Sequence, residues 1–163
     1  MISKLLILVG NIGSGKSTFA KDFCKKNNYI CISRDSLRSM IGVGEYIFNT
    51  SYEPYLKKAM LELVERFMRG RFNIVIDEVN ISRSSRAPLL ALARSFAYQP
   101  VAYVLPELHK EESVARRLSA NHGDERKETW DMIWERFNES YEYPTEEEGF
   151  CHVRMLKGDT SEG

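Results

Sequence analysis

The chain has 163 residues, enough for one domain with a substantial core and too few for two comfortable ones. It is 43% hydrophobic and 28% charged, a globular composition rather than a disordered or fibrous one. Lys plus Arg and Asp plus Glu each number 23. The zero net charge excludes a nonspecific coat for long nucleic acid, which needs many phosphate-neutralising cations, and leaves room for a small basic groove at a strand end.

The first apolar run, "KLLILVG" (4–10), predicts a strand buried on both faces. It is far too short for a signal-peptide core or a membrane span, so no membrane partner and a cytoplasmic location are expected. Cys24, Cys31 and Cys151 are widely spaced, without a CxxC or histidine partner. They read as reduced thiols that mostly pack rather than bind metal.

"GNIGSGKS" (10–17) follows that strand and fits GxxxxGK[ST], with a helical pattern over 16–27 directly after it. Glycines at this spacing let backbone N–H groups turn inward around phosphate oxygens, and the helix aims its positive end at them. Gly10, Asn11, Ile12, Gly13, Ser14, Gly15, Lys16, Ser17 and Thr18 are therefore the candidate ATP-binding residues. Lys16 suits the β- and γ-phosphates, and Ser17 offers a hydroxyl to Mg²⁺.

"YICI" (29–32) predicts a second strand, and "ISRDSLRSM" (32–40) follows at its end. Asp35 there shares a sheet edge with the phosphate loop and can take the proton of an attacking hydroxyl. Arg38, one helical turn on, can fork onto an acceptor phosphate, and Arg34 can do the same or face water. On spacing alone, an ordinary helix start with Asp35 near its cap fits as well.

A helix over 54–69 places Leu56, Met60, Leu63, Val64 and Phe67 at core spacing. "FNIVIDEVN" (72–80) predicts a third strand that ends in Asp77 and Glu78. One of these acids can hold Mg²⁺ through water, in a kinase or in a motor-type ATPase that would also use the pair to activate water. A helix over 84–97 and a strand, "PVAYVL" (100–105), follow. Strands and helices alternating this way predict an α/β fold with a parallel sheet covered on both faces. The last third is charged, with two helical patterns broken around 121–124. "EEE" (146–148) reads as a solvated face, "FCHVRML" (150–156) as a final strand, and the rest as a polar tail.

"GNIGSGKSTFAKDF", "ISRDSLRSM" and "IVIDEVNISRSSR", in this order and spacing, resemble the kinase domain of phage polynucleotide 5′-hydroxyl kinases. "YEYPTEEEGF" is similar to the "FExPTxxEGF" run near the end of polynucleotide kinases from other sources, and the resemblance covers the chain from Leu5 to about Leu156. It implies a P-loop kinase fold of about five parallel strands with a helical lid near 110–128, one domain over 1–158 and a tail over 159–163. It implies ATP and Mg²⁺ as cofactors and DNA or RNA 5′ ends as substrate. By position, Lys16 and Ser17 fall to ATP–Mg²⁺, Asp35 to the general base, and Arg38 to the phosphate beside the 5′-hydroxyl. The family's acid after strand three falls on Glu78, or on Asp77 with the strand shifted by one.

Arg117 matches the first of two lid arginines, but Asn121 stands where the second belongs. Arg126, or Arg116 before it, is the candidate replacement. No phosphatase domain or acid motif of the family's larger members is present in the sequence. A small-molecule P-loop kinase and an ATPase switch acting through a partner remain as alternatives. DNA versus RNA preference and oligomeric state are left open.

Overall fold

A computed structural model describes residues 2–120 and 126–158, so Asn121 and the tail 159–163 lie outside the described residues. In chain order the elements are β1 (Lys4–Val9), α1 (Lys16–Asn27), β2 (Ile30–Ile32), α2 (Arg34–Ile41), α3 (Glu53–Arg69), β3 (Ile74–Ile76), α4 (Arg83–Ser95), β4 (Gln99–Val104), α5 (Lys110–Ser119), α6 (Lys127–Glu139) and β5 (His152–Met155), with a 3₁₀ turn at Glu146–Glu148 before β5. All strand pairs are parallel, in the order β2-β3-β1-β4-β5. The α/β sheet of five parallel strands expected from the alternating pattern is the one observed.

Continuous apolar strands are the direct consequence of burial on both faces. Leu5, Ile7 and Val9 face one side and pack with Met60, Val64 and Met68 of α3 and with Leu89, Leu90 and Ala93 of α4. Leu6 and Leu8 face the other side, against Ala20, Phe19 and Phe23 of α1. A third, smaller cluster joins Ile12 of the phosphate loop to Val114 of α5 and Trp130 of α6. Helix α3 buries Leu56, Met60 and Val64 as its spacing predicts, adds Met68, and leaves Leu63 and Phe67 partly covered.

Three expectations change. Strand β3 ends at Ile76 rather than in Asp77 and Glu78, which begin the loop that leads through left-handed Asn80 (φ 47°). The two helical patterns expected in the charged last third are α5 and α6, which pack on each other, and α6 runs on to Glu139. Of the cysteines only Cys24 packs into a cluster, while Cys31 on the sheet-edge strand β2 and Cys151 are exposed.

The acidic triplet is not a uniformly solvated face either. The Glu148 side chain is nearly fully buried and paired to Arg86 of α4 through Nε–Oε1 at 2.9 Å and Nη2–Oε2 at 3.0 Å. Thus "NISRSSR" and "PTEEEGF", two of the quoted motifs, meet in the interior. Among the described residues no helix is long and apolar enough to cross a membrane.

Candidate active site

Parallel sheets of this kind bind ligands beyond the carboxyl ends of their strands, and the chemistry-bearing residues of this chain gather there. The loop after β1 enters α1 through Gly15, whose backbone is left-handed (φ 96°) where most side chains would be strained. Gly13 is also left-handed (φ 65°), and a Cβ on it would lie 2.0 Å from the Ser113 carbonyl oxygen of α5. Ser113 Oγ in turn donates to the Ile12 carbonyl, so α5 is seated directly on the loop. Asn11 Nδ2 donates to the Trp134 carbonyl of α6 at 3.0 Å. The helical hairpin is thereby fixed to the loop at both of its helices.

Lys16 is buried and its Nζ donates to the Asn11 carbonyl (2.7 Å) and Ser14 Oγ (3.2 Å), standing in the loop's own concavity. Burial pushes its ammonium down to about 8; Asp77 opposes that and Arg117 adds to it, with Asp35 and Glu78 favouring the charge. Anionic phosphate oxygens delivered to this spot reverse the burial penalty.

The two acids after β3 separate by role-bearing contact. Ser17 Oγ donates to Asp77 Oδ2 at 2.8 Å, a hydroxyl and a carboxylate side by side at the loop. Burial raises the Asp77 carboxyl, with the Ser17 hydrogen bond and Lys16 pulling it back. These hard oxygen donors fit Mg²⁺ held by water and phosphate oxygens, which rarely needs a full protein cage. Glu78 turns the other way and pairs with Arg34 Nε; burial raises its carboxyl while Arg34 holds it down.

Asp35 and Arg38 lie on α2, whose first turn is capped by Ser33 Oγ accepting from the Ser36 amide (3.1 Å). The stretch is a capped helix start, and Asp35 also reaches the sheet edge. Arg38 Nη1 donates to Asp35 Oδ1 at 2.6 Å, and Arg117 Nη2 of α5 lies 3.3 Å from Asp35 Oδ2. One carboxylate is held between two guanidiniums from different elements.

Glu53, at the start of α3, takes Arg38 in a two-pronged pair, with Nε–Oε2 at 3.0 Å. Burial disfavours the Arg38 charge, but Glu53 and Asp35 outweigh it and hold the guanidinium firmly cationic. Tyr46 and Phe48 flank Arg38 with ring centres 6.0 and 5.9 Å away. The Arg117 guanidinium sits 4.5 Å over the Trp130 ring, and its Nε is buried without a hydrogen-bond partner.

The phosphate loop, the acids after β3, Asp35, Arg38 and Arg117 line one cavity of about 560 Å³, with Glu53 holding Arg38 from outside its lining. Lys16, Arg34, Arg38, Arg116, Arg117 and Arg136 border it, against the carboxylates of Asp35, Asp77 and Glu78. Of the lid candidates, Arg117 faces this cavity, Arg116 borders it while pairing with Glu112 at 2.9 Å, and exposed Arg126 stands at the start of α6 outside its lining. Gly10 and Asn11 lie behind the loop, in a neighbouring hollow. Sequence reading missed Glu53, Tyr46, Trp130 and Arg136. Glu53 lies on another element from Arg38, and the other three belong to no local motif that would mark them.

Residues 5–144 match the AAA_33 family model, described as an AAA domain. The chain belongs to this AAA domain family. A curated relative, the L-seryl-tRNA(Sec) kinase of Methanococcus maripaludis, is 30% identical over 95 residues, covering 55% of this chain and 36% of that protein. A chain in the Pnkp1/Rnl/Hen1 RNA repair complex is 28% identical with a TM-score of 0.67, covering 87% of this AAA domain chain and 47% of its counterpart. A second structure of the Pnkp1/Rnl/Hen1 complex gives 32% identity and a TM-score of 0.60, over 71% and 39% of the two chains. Kti12 of Chaetomium thermophilum, solved with ADP-AlF3, shares the fold at 20% identity and a TM-score of 0.69 over 97% of this chain and 91% of its own. The AAA domain chain thus spans between about a third and just under half the length of the first relatives it matches, and it has the P-loop kinase fold.

Proposed function

We propose that this protein transfers the γ-phosphate of ATP to the 5′-hydroxyl end of DNA or RNA, acting through one P-loop kinase domain over residues 1–158. The observation that carries the reading is Asp35 between Arg38 and Arg117, on the same cavity as the phosphate loop. A hydroxyl nucleophile needs a proton acceptor within hydrogen-bond reach, with cations for the phosphates on either side of it. Likeness to chains of an RNA repair complex supports a nucleic-acid acceptor.

In this reading the loop amides and Lys16 hold the β- and γ-phosphates, and Gly10 through Thr18 shape the cradle. Ser17 and, through water, Asp77 would hold Mg²⁺, which when bound would supply charge neutralisation for the transferring phosphate. Asp35 accepts the proton of the 5′-hydroxyl as its oxygen bonds to phosphorus, and Arg38 grips the neighbouring phosphate. Arg117 exchanges Asp35 for the triphosphate, a partner with several negative charges, and its unpartnered Nε offers a further donor. That exchange takes Arg117 off Asp35 Oδ2 and turns this oxygen to the acceptor, while Arg38 stays on Oδ1. Arg34 and Glu78 hold each other and border the acceptor space. Glu78 is therefore engaged, which disfavours the ATPase reading, where a free carboxylate beside the metal acid would activate water. Arg126 is left as the weaker partner of Arg117.

Transfer from labelled ATP to acceptors with and without a 3′-phosphate, by parent and Arg38→Ala, tests this. The expected result is a selective loss on 3′-phosphorylated acceptors with basal ATP hydrolysis little changed. Equal loss of both activities would move Arg38 to the donor side and remove the assignment.

A further inference from the structure

We propose that Arg136 receives a downstream phosphate of a polynucleotide acceptor, the second or third from its 5′ end, and so sets the acceptor length the site prefers. The inference rests on the acceptor class argued above and adds a contact to it. Thr129, Trp130, Ile133, Arg136 and Phe137 all line the active-site cavity. Their spacing puts them on one face of α6, so this face forms a continuous wall. Trp130 marks the inner end, because the guanidinium stacked over it also pairs with Asp35. Arg136 comes six residues later along the helix, which at 1.5 Å per residue sets it roughly 9 Å from that end. A stacked strand carries a phosphate every ~3.4 Å, so a strand running along this wall presents its second or third phosphate there.

Among the arginines of the cavity, charge pairing singles out the same residue, since Lys16 is already held by the phosphate loop itself. Arg34 is paired with Glu78, Arg38 with Asp35 and Glu53, Arg116 with Glu112, and Arg117 with Asp35. Among the described residues Arg136, though it borders the cavity, has no ion pair. It is also exposed, so its cation is solvated and available, with no buried counter-charge to displace. A competing role exists: in the last turn of α6 a cation also complements the helix dipole. That role predicts an effect on stability alone.

The test uses the full chain at saturating ATP with parent, Arg136→Ala and Arg136→Lys. Acceptors are a nucleoside 3′-monophosphate and 5′-hydroxyl oligonucleotides of two, three and six nucleotides, each with a 3′-phosphate. In the parent KM should fall as length grows past one phosphate. Arg136→Ala should raise KM about tenfold for the longer acceptors, as loss of one charge-assisted contact does. It should move KM for the monophosphate and for ATP less than twofold, and kcat should hold. Arg136→Lys should recover most of the loss.

Binding of a labelled six-nucleotide strand across a salt series gives a readout independent of catalysis. There Arg136→Ala should flatten the log–log salt slope by about 0.7, one phosphate's share for a single strand. An equal effect at every length, a shift confined to ATP, or an unchanged slope overturns the proposal. If the parent binds the strand without phosphorylating it, the kinase reading fails while the salt slope still decides Arg136; if the parent does not bind it, both fail.

Discussion

Glu148→Ala should destabilise the fold far beyond an ordinary surface substitution. Its side chain is 4% exposed and its carboxylate meets Arg86, whose side chain is fully buried, through two parallel hydrogen bonds; it also accepts from the Thr145 amide at 2.9 Å. Removing it strands a guanidinium in the interior with only the Asn80 carbonyl, 2.8 Å from Nη1, still bound. An uncompensated charge of this kind costs about 3–5 kcal/mol. For 163 residues, an unfolding entropy of about 2.1 cal/mol/K per residue converts that into a Tm loss of roughly 9–15 °C. The double variant Arg86→Met/Glu148→Leu removes both charges and should recover most of the loss.

Burial pushes the Glu148 carboxyl up, but the Arg86 hydrogen bonds outweigh it and the net direction is down. The pair's contribution is therefore complete above the ordinary carboxylate range and fades as pH falls through the lowered value. Calorimetry of parent, single and double variants between pH 3 and 7 checks all of this. A single-variant Tm loss below about 3 °C at pH 7, or a double variant worse than the single, would refute the reasoning. The pair matters beyond stability, because Asn80 also donates to the Leu8 carbonyl (2.7 Å) just before the phosphate loop.

Asp35→Asn keeps shape and one acceptor oxygen but cannot take a proton, so single-turnover transfer to a 5′-hydroxyl oligonucleotide should slow by about a hundredfold or more with ATP affinity unchanged. Retention of most of the rate would place the base elsewhere. Lys16, lowered to about 8 from about 10.5, should make the nucleotide-free protein gain stability as pH rises through that window, while ATP affinity falls. Urea midpoints and ATP binding from pH 7 to 10 measure both, and Lys16→Met should remove both slopes. Gly13→Ala sets a Cβ against the Ser113 carbonyl at a strained backbone, so it should lower Tm and weaken ATP binding together. Parent-like values would dismiss the seating of α5 on the loop.

The strands and the helices over 16–27 and 54–69 were legible because burial on two faces or one stripe imposes a period on the residues themselves. The phosphate loop was legible because glycine, lysine and hydroxyl act through fixed local spacing. Pairings between distant elements left no such trace. Nothing local couples Glu53 to Arg38 or Glu148 to Arg86, so one was missed and the other read as solvent. The choice between Asp77 and Glu78 hung on where β3 stops. Three residues of strand decide which acid meets Ser17, and sequence alone could not count them. Arg136 looked like any exposed helix cation until α6 was seen to wall the cavity.

The central claim is the acceptor, and one measurement reaches it directly. The full chain is given γ-labelled ATP and Mg²⁺ with a panel of 5′-hydroxyl DNA and RNA oligonucleotides, the same strands already 5′-phosphorylated, free nucleosides, a seryl-tRNA and a sugar acid. Label should pass to the 5′-hydroxyl strands, stay off their phosphorylated counterparts, and reach the nucleosides poorly. Faster transfer to a nucleoside, the seryl-tRNA or the sugar acid, or ATP consumed with no labelled acceptor, would contradict the account.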